Sequence, residues 1–524
     1  MNNYINKEKI RSFLKIRDNQ FLILLMLFAI FIRLYYFIKL GNQPIWWDEG
    51  DYLSIAKVWA LNMPKPEWWH IFAGMRPLLI PLIWAFIIKI GIGEFGMRFI
   101  TLLIPSILTI YLVYAVGRDL YNNKIGLIAG FIMSVYWVHL FYTYRLLTDI
   151  PAMFFGMLTI YFFYSRYIKK GEAKGLYLSI LFGVLSFSAR FPYAFILITC
   201  FLFLLIIEKK EFFKNKTNWK ALALIFLLLS PYLIYLIYTK FYLLSFYFGE
   251  RAQATNLQIP FSQALNNIFG LFPSLFGPGL SILKNVFLIF LIIGAFGLYR
   301  FFICFDIFWK QQDKKFNAEF FLILWILVQL FFYVIIMKVT TDRWLLMLMP
   351  ALFTLASRGF ISTYIYLKKY SKILAIFLVI FLILFGGYYQ LKHTNNLINI
   401  KKDSYKEVML GGLWLKENTP KDAKVITASI VQNEYYSERD TYSFSVYFKN
   451  NNSEASNKAL FEQKVEKIKP DYLILNIVQR TPDWAYTYPQ EKGLTPVKYY
   501  LATKEESIMY GVPEGQPLLI IYKF

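Results

Sequence analysis

Charge is scarce in this chain of 524 residues, and cysteine and histidine are scarcer still. The two cysteines, Cys200 and Cys304, fall in or beside apolar segments, so there is no disulfide framework and no Cys/His metal-ligand spacing. No low-complexity tract and no internal repeat is visible, and the inverted halves expected of many transporters are not evident. Charged residues make up only 17%, and acids are outnumbered, 33 Asp and Glu against 56 Lys and Arg, for a net charge of +23. Such an excess invites a nucleic-acid reading. Scattered between long apolar runs, it argues against one.

What is present in abundance is apolar surface. Hydrophobic residues reach 57% and aromatics 20%, mean hydropathy is +0.45, and apolar runs near membrane-crossing length recur from Phe21 to Tyr389. About 20 apolar residues in a helix cross the ~30 Å hydrocarbon core, so the chain reads as a polytopic α-helical membrane protein of about eleven or more spans. The first 390 residues hold 38 Lys and Arg against 17 Asp and Glu, whereas residues 391–524 are nearly balanced at 18 against 16. The excess sits in loops assigned to the cytoplasmic side by the positive-inside rule: the tail with Lys7, Lys9 and Arg11, then Arg166–Lys174, Glu208–Lys220, Lys310–Lys315 and Lys368–Lys372. No small-residue cleavage site follows the first apolar run, which is taken as an uncleaved span.

In chain order, 1–20 is a cytoplasmic basic tail and 21–390 a transmembrane catalytic domain. Within it, 41–95 forms the first extracytoplasmic loop, with an interfacial helix over Leu78–Ile90. Spans are expected over Arg98–Val116, Ile125–Phe141 and Ile150–Tyr164, with turns at Asn122–Lys124 and Tyr142–Asp149. The 32 mostly apolar residues Leu176–Ile207 are too long for one helix and carry Ala189-Arg190-Phe191-Pro192 at their middle. A helical hairpin with Arg190 at its outer turn keeps the arginine from mid-bilayer. Later spans are Ala221–Tyr238, Val286–Phe302, Phe320–Met337, Trp344–Ala356 and Ile373–Tyr389. From residue 391 the texture changes: strands over Lys424–Ser429, Tyr472–Ile477 and Leu518–Tyr522 and a helix over Leu460–Lys467 predict a small soluble α/β domain, 391–524, outside the membrane. It has no glycine-rich phosphate loop.

The densest polar feature is Ile45-Trp46-Trp47-Asp48-Glu49-Gly50-Asp51, read as a shaped loop with three carboxylates just past the first span. Polar residues assigned to the same outer face are Arg76, Arg145, Asp149, Arg190, Asp342 and Arg343. Arginine clamps phosphate oxygens through paired hydrogen bonds, and a carboxylate can take a proton from an attacking hydroxyl or amine. Together they suit displacement of phosphate from a sugar carbon. Outside the membrane no nucleotide-sugar pool is expected, which points to a lipid-linked phosphosugar donor. The blander readings are that Asp51, Glu67, Glu94 and Asp342 are solvated loop residues, that Lys89 and Arg98 snorkel, and that Trp46-Trp47 and Trp68-Trp69 form an aromatic belt. His70 reads as structural. Asn451-Asn452-Ser453 matches an N-glycosylation acceptor triplet.

At these residues the chain resembles the GT-C glycosyltransferases of the dolichyl-phosphate-mannose protein mannosyltransferase and lipid A aminoarabinose transferase type. The resemblance rests on Trp47-Asp48-Glu49, on Arg76-Pro77-Leu78 with Pro81-Leu82 and Glu94-Phe95…Arg98, on Arg145-Leu146-Leu147-Thr148-Asp149, and on Phe187–Pro192. It continues in Asp342-Arg343-Trp344-Leu345, in Trp414–Pro420 and in Lys469-Pro470-Asp471-Tyr472. It departs at Leu78 and Met75, where many relatives carry a second proline and an acidic residue. The resemblance implies a hexosyltransferase, mannosyltransferase-like, that works by inverting transfer from a polyprenyl (dolichyl) phosphate sugar. The acceptor would be a protein, glycan or lipid. Asp48 would be the base, Glu49 a supporting carboxylate and Asp149 a second acidic residue of the site, with Arg76, Arg145, Arg190 and Arg343 on the carrier phosphate. No cofactor is required by this reading; a divalent cation is the one kept open. The alternatives are a lipid-linked saccharide flippase or transporter and a membrane receptor. The one-sided gathering of charge disfavours the first, and the number of spans the second.

Overall fold

The computed structural model describes residues 16–63, 76–238, 259–306, 309, 316–448, 453–455 and 457–524. Glu67, Trp68-Trp69, His70, Met75, the whole of Lys310–Lys315 and the Asn451-Asn452 pair lie outside the described residues. Two compact units emerge. One comprises Met1–Lys39, Arg98–Tyr144 and Thr148–Leu397, the other Leu40–Met97, Arg145–Leu147 and Ile398–Phe524.

Among the described residues seven helices are long and apolar enough to cross a membrane: Arg17–Leu40, Glu94–Leu120, Phe191–Glu208, Lys216–Ile237, Ile282–Ile303, Asn317–Met337 and the run Lys372–Asn418. Other apolar helices supplement them. The expected crossing Ile125–Phe141 is divided at Tyr136 into helices Asn123–Val135 and Trp137–Tyr142. The expected crossing Trp344–Ala356 is shifted: Asp342–Met347 forms a 3-10 turn, and the α-helix runs Met349–Lys368. The turn at Asn122 is where the sequence placed it, because the Asn122 side chain accepts from the Ile125 N–H at 3.1 Å and starts the next helix.

The hairpin over Leu176–Ile207 is also present. Helix Ala173–Ala189 stops at Arg190, whose backbone is extended, and a 3-10 turn Phe191–Tyr193 leads into Ala194–Glu208. Leu197 of the second helix packs onto Gly183 of the first. Two other helices approach closer still. A Cβ built on Gly359 of Met349–Lys368 would meet the Phe290 carbonyl oxygen at 2.0 Å, and one on Gly294 would meet that of Leu355 at 2.1 Å. In a lipid environment small residues at such a crossing replace the hydrophobic drive that lipid tails remove.

In the second unit, strands β1 (Lys424–Thr427), β2 (Asp440–Tyr442), β5 (Tyr472–Asn476), β6 (Thr495–Leu501) and β7 (Pro517–Lys523) form a sheet of order β2-β1-β5-β7-β6. The first three run parallel, and β7 is antiparallel to both β5 and β6. A separate hairpin pairs β3 (Val446–Phe448) with β4 (Ser453–Ala455). Side chains alternate between faces along a strand. Val425, Ile474, Leu519 and Ile521 accordingly pack with Val408 and Leu415 of helix Lys406–Asn418, while Ile426, Leu473 and Leu475 pack with Phe461 of helix Lys458–Ile468. Both faces are covered, which makes these strands nearly continuous apolar runs and legible in the sequence. Strand β6 is a mostly exposed edge opening Thr495-Pro496, and β2 spans three residues; neither stands out from the sequence.

The same unit holds helix Trp47–Leu61, packed against Leu79–Lys89 and against the short helix Ile430–Ser437. On the latter, Glu434 is buried, one carboxyl oxygen has no hydrogen-bond partner among the described residues, and burial, Asp440 and Asp51 push its pKa up to about 8 despite Lys57.

Two outcomes are expected. Gly359→Ala should lower the melting temperature in detergent, since overpacking a filled contact costs about 1–3 kcal/mol; an unchanged melting temperature would refute the close crossing. Glu434 keeps its proton in the fold above the pH at which it ionises when unfolded. Its contribution is therefore complete at acid pH and lost as pH rises toward about 8. Melting temperature against pH should fall across that range in the natural chain, and Glu434→Gln should flatten the fall.

Candidate functional site

The Trp-Asp-Glu cluster is not a loop. It is the first turn of helix Trp47–Leu61, with Asp48 and Glu49 at the positive end of the helix dipole. Acids just ahead of an apolar-periodic stretch are a helix-start signal, and the run Tyr52–Leu61 is that stretch. The three carboxylates then meet three different fates. Glu49 is fully buried; it accepts from the Trp46 backbone N–H at 2.6 Å, from the Leu146 N–H at 2.5 Å and from the Arg145 guanidinium at 3.5 Å. Arg145 in turn donates to the carbonyls of Pro44 at 3.0 Å and Lys401 at 2.8 Å, and its guanidinium lies 3.9 Å from the centre of the Trp46 ring.

Asp51 is likewise buried, not a solvated loop residue, and pairs with Arg76. Burial pushes its pKa up to about 6, against the pull of Arg76. Asp48 also contacts Arg76, at 3.4 Å, but its side chain stays 33% exposed. Arg76 lies over the Tyr52 ring, 5.3 Å from its centre, and is 28% exposed. Asp48 is therefore the one carboxylate of this helix that is not buried.

The remaining expected residues belong to the helical unit. Asp149 opens helix Asp149–Ile160, is fully buried, and pairs with Arg190 at 3.3 Å; Arg190 is 13% exposed. Asp342 accepts from the Arg343 backbone N–H at 2.7 Å and from the Tyr142 hydroxyl at 3.3 Å, and Arg343 is half-buried with its guanidinium 6.0 Å from the Tyr142 ring centre. Burial raises the pKa of Asp342, with the Asp149 charge adding to it and the Arg343 N–H, Tyr142 and Arg343 opposing. Tyr193, three residues past Arg190 at the end of the 3-10 segment, is buried with no hydrogen-bond partner for its hydroxyl among the described residues.

Sequence reasoning passed over Arg33. It lies inside the first span, fully buried, and donates to Ser106 Oγ at 2.7 Å, to the Ser134 carbonyl at 3.0 Å and to His139 Nδ1 at 3.0 Å. An arginine within an apolar run was the available signal. Arg98, expected to snorkel at the rim, is buried. Among the described residues no three His, Cys, Asp or Glu side chains gather as a set that could hold a metal ion.

Residues 75–235 match the family model described as dolichyl-phosphate-mannose-protein mannosyltransferase. An uncharacterized protein of Aquifex aeolicus is 24% identical over 229 residues, a stretch covering 40% of this chain and only 43% of that protein. ArnT from Cupriavidus metallidurans, solved in the apo state and bound to undecaprenyl phosphate, superposes with TM-scores of 0.59 and 0.58 at 10% identity, over 95% of this chain and 97% of that one. The archaeal oligosaccharyltransferase AglB from Archaeoglobus fulgidus, in complex with an inhibitory peptide and a dolichol-phosphate, gives a TM-score of 0.55 at 12% identity, over 87% of this chain and 69% of that one. At these identities the likeness is one of fold. The chain is thus a multi-pass membrane protein with the GT-C glycosyltransferase fold and a small α/β domain near its C-terminus.

Proposed function

We propose that this chain is a glycosyltransferase that moves a sugar from a polyprenyl-phosphate carrier to an acceptor at the outer membrane face. The observation that carries the reading is the sorting of the acidic helix: Glu49 and Asp51 are sealed and paired, and Asp48 alone keeps an exposed carboxylate at the helix start. In this mechanism Asp48 takes the proton from an acceptor hydroxyl or amine. The freed electron pair attacks the anomeric carbon from the face opposite the phosphate, and the phosphate leaves with the bonding pair, inverting the centre. General-base assistance of this kind contributes about 10²–10⁴-fold. Positive charge on the departing phosphate oxygens contributes the rest, without a proton donor.

Not every arginine is equally suited to that second task. Arg145 is 2% exposed and spends its donors on two backbone carbonyls and Glu49, so it holds the acidic helix in place. Arg76, Arg190 and Arg343 keep part of their surface and are the candidates for the carrier phosphate. Asp149 is the second acidic residue by resemblance. The family model's description and the undecaprenyl phosphate in the ArnT structure support a polyprenyl carrier, with a mannose-type hexose as the first sugar to try. The N-terminal tail, 1–20, is placed in the cytoplasm and the 391–524 domain outside, with 21–390 as the transmembrane catalytic part.

Asp48→Asn is expected to abolish transfer from radiolabelled polyprenyl-phosphate sugars in membranes while the protein accumulates normally. Near-normal turnover would sink the base assignment. Arg145→Ala should lower the yield of folded protein, whereas Arg190→Lys, which keeps a cation beside the buried Asp149, should leave yield intact and raise the donor KM; the opposite pattern would reverse these two roles.

A further inference from the structure

The α/β domain has no catalytic signature of its own, yet one of its helices reaches the acidic helix at three points that bracket Asp48. Ahead of it, the buried Ile45 N–H donates to the Tyr436 hydroxyl at 3.0 Å. Just after it, Gly50 is seated on Val431, where an added Cβ would lie 3.0 Å from Cγ2 and 3.3 Å from the backbone carbonyl carbon. Two turns further on, Lys57 donates to the Tyr435 carbonyl at 2.7 Å and to Glu438 at 3.0 Å, and its ammonium sits 4.1 Å from the centre of the Tyr435 ring. The Tyr435 hydroxyl also donates to Glu94 at 2.8 Å. Val431, Tyr435 and Tyr436 all belong to helix Ile430–Ser437 or its face toward Trp47–Leu61.

These contacts are of different kinds, and each fixes a different coordinate. The Tyr436 hydrogen bond sets the chain entering the helix, the Gly50 contact sets the distance between the two helices, and Lys57 sets rotation and register. None touches Asp48 itself. Asp48, two positions before Gly50 and three after Ile45, inherits its placement from all three. We propose that helix Ile430–Ser437 is a positioning element for Asp48, with Tyr436, Val431 and Gly50 as its positioning residues. The α/β domain would then complete the active site by holding the base. This rests on the glycosyltransferase reading above. It matters because a misplacement of about 1 Å at a reacting group can cost on the order of 10²-fold in rate.

Gly50 also supplies the test. In Gly50→Ala the new methyl must push Val431 away by a few tenths of an ångström, while Asp48, Glu49 and Arg76 are untouched. The full chain, purified into nanodiscs, should lose at least tenfold in kcat with donor KM changed less than twofold, and its melting temperature should barely move. Val431→Ala in the Gly50→Ala background makes room and should recover at least threefold. Tyr436→Phe should show the same kcat-selective loss. Turnover equal to the natural chain in Gly50→Ala and Tyr436→Phe would overturn the proposal. So would losses that track only the amount of folded protein, or a double variant no better than Gly50→Ala. Amide hydrogen exchange gives a readout free of activity: protection over residues 45–52 should fall in Tyr436→Phe. If the natural chain transfers no sugar while this protection falls as stated, the functional reading fails and the coupling between the helices survives. Unchanged protection would sink the coupling whatever the activity.

Discussion

A single buried carboxylate, that of Glu49, ties together three stretches of chain that are far apart in sequence. It accepts from the N–H of Trp46 and of Leu146 and faces Arg145, which itself reaches the carbonyls of Pro44 and Lys401. Charge-assisted hydrogen bonds to a carboxylate are shorter and roughly twice as strong as neutral ones. The arrangement also leaves little room for substitution. Removing one partner from a buried pair costs about 3–5 kcal/mol, because the charge left behind has no compensation. The start of helix Trp47–Leu61, the segment 145–147 and the chain entering the α/β domain are thereby held in one body, which is why they fall in the same compact unit.

That clamp explains a division of labour among neighbours. Three acids within four positions would repel one another if all were solvated on one surface. Here two arginines divide them: Glu49 faces Arg145, while Asp51 and Asp48 share one guanidinium nitrogen of Arg76. Successive helical residues are turned by about 100° from one another, so adjacent acids can serve different neighbours without unwinding the backbone. The apolar unit follows the same logic at Arg33, where burial in a span is tolerated because serine, histidine and a free carbonyl take up the guanidinium donors.

The sequence was most legible where one physical demand dominated. Arg190 between two apolar runs can only be a turn, and it is one. Strands covered on both faces, such as Tyr472–Asn476, are continuous apolar runs and announce themselves. It was least legible where partners decide the outcome. Asp51 has the composition of a loop acid and becomes a buried partner only because Arg76, 25 positions later, returns to it. Strand β6 has few buried residues to betray it. The role of Glu49 depends on Leu146, 97 positions on, and no spacing rule reports that.

Charge balance narrows the chemistry further. Arg145 is neutralised by Glu49 and Arg190 by Asp149, while Arg76 faces two carboxylates. A carrier phosphate brought to Arg76 would meet an excess of negative charge, and one brought to Arg145 would have to displace a buried acid. At Arg190 the local charge is already balanced, so an added phosphate must share the guanidinium with Asp149. Beside Arg343, Asp342 is engaged by a backbone N–H and by the Tyr142 hydroxyl, and burial raises the Asp342 pKa. For the proposed chemistry, two carboxylates already facing Arg76 make it the weakest of the three proposed phosphate ligands, and Arg190 and Arg343 the stronger ones.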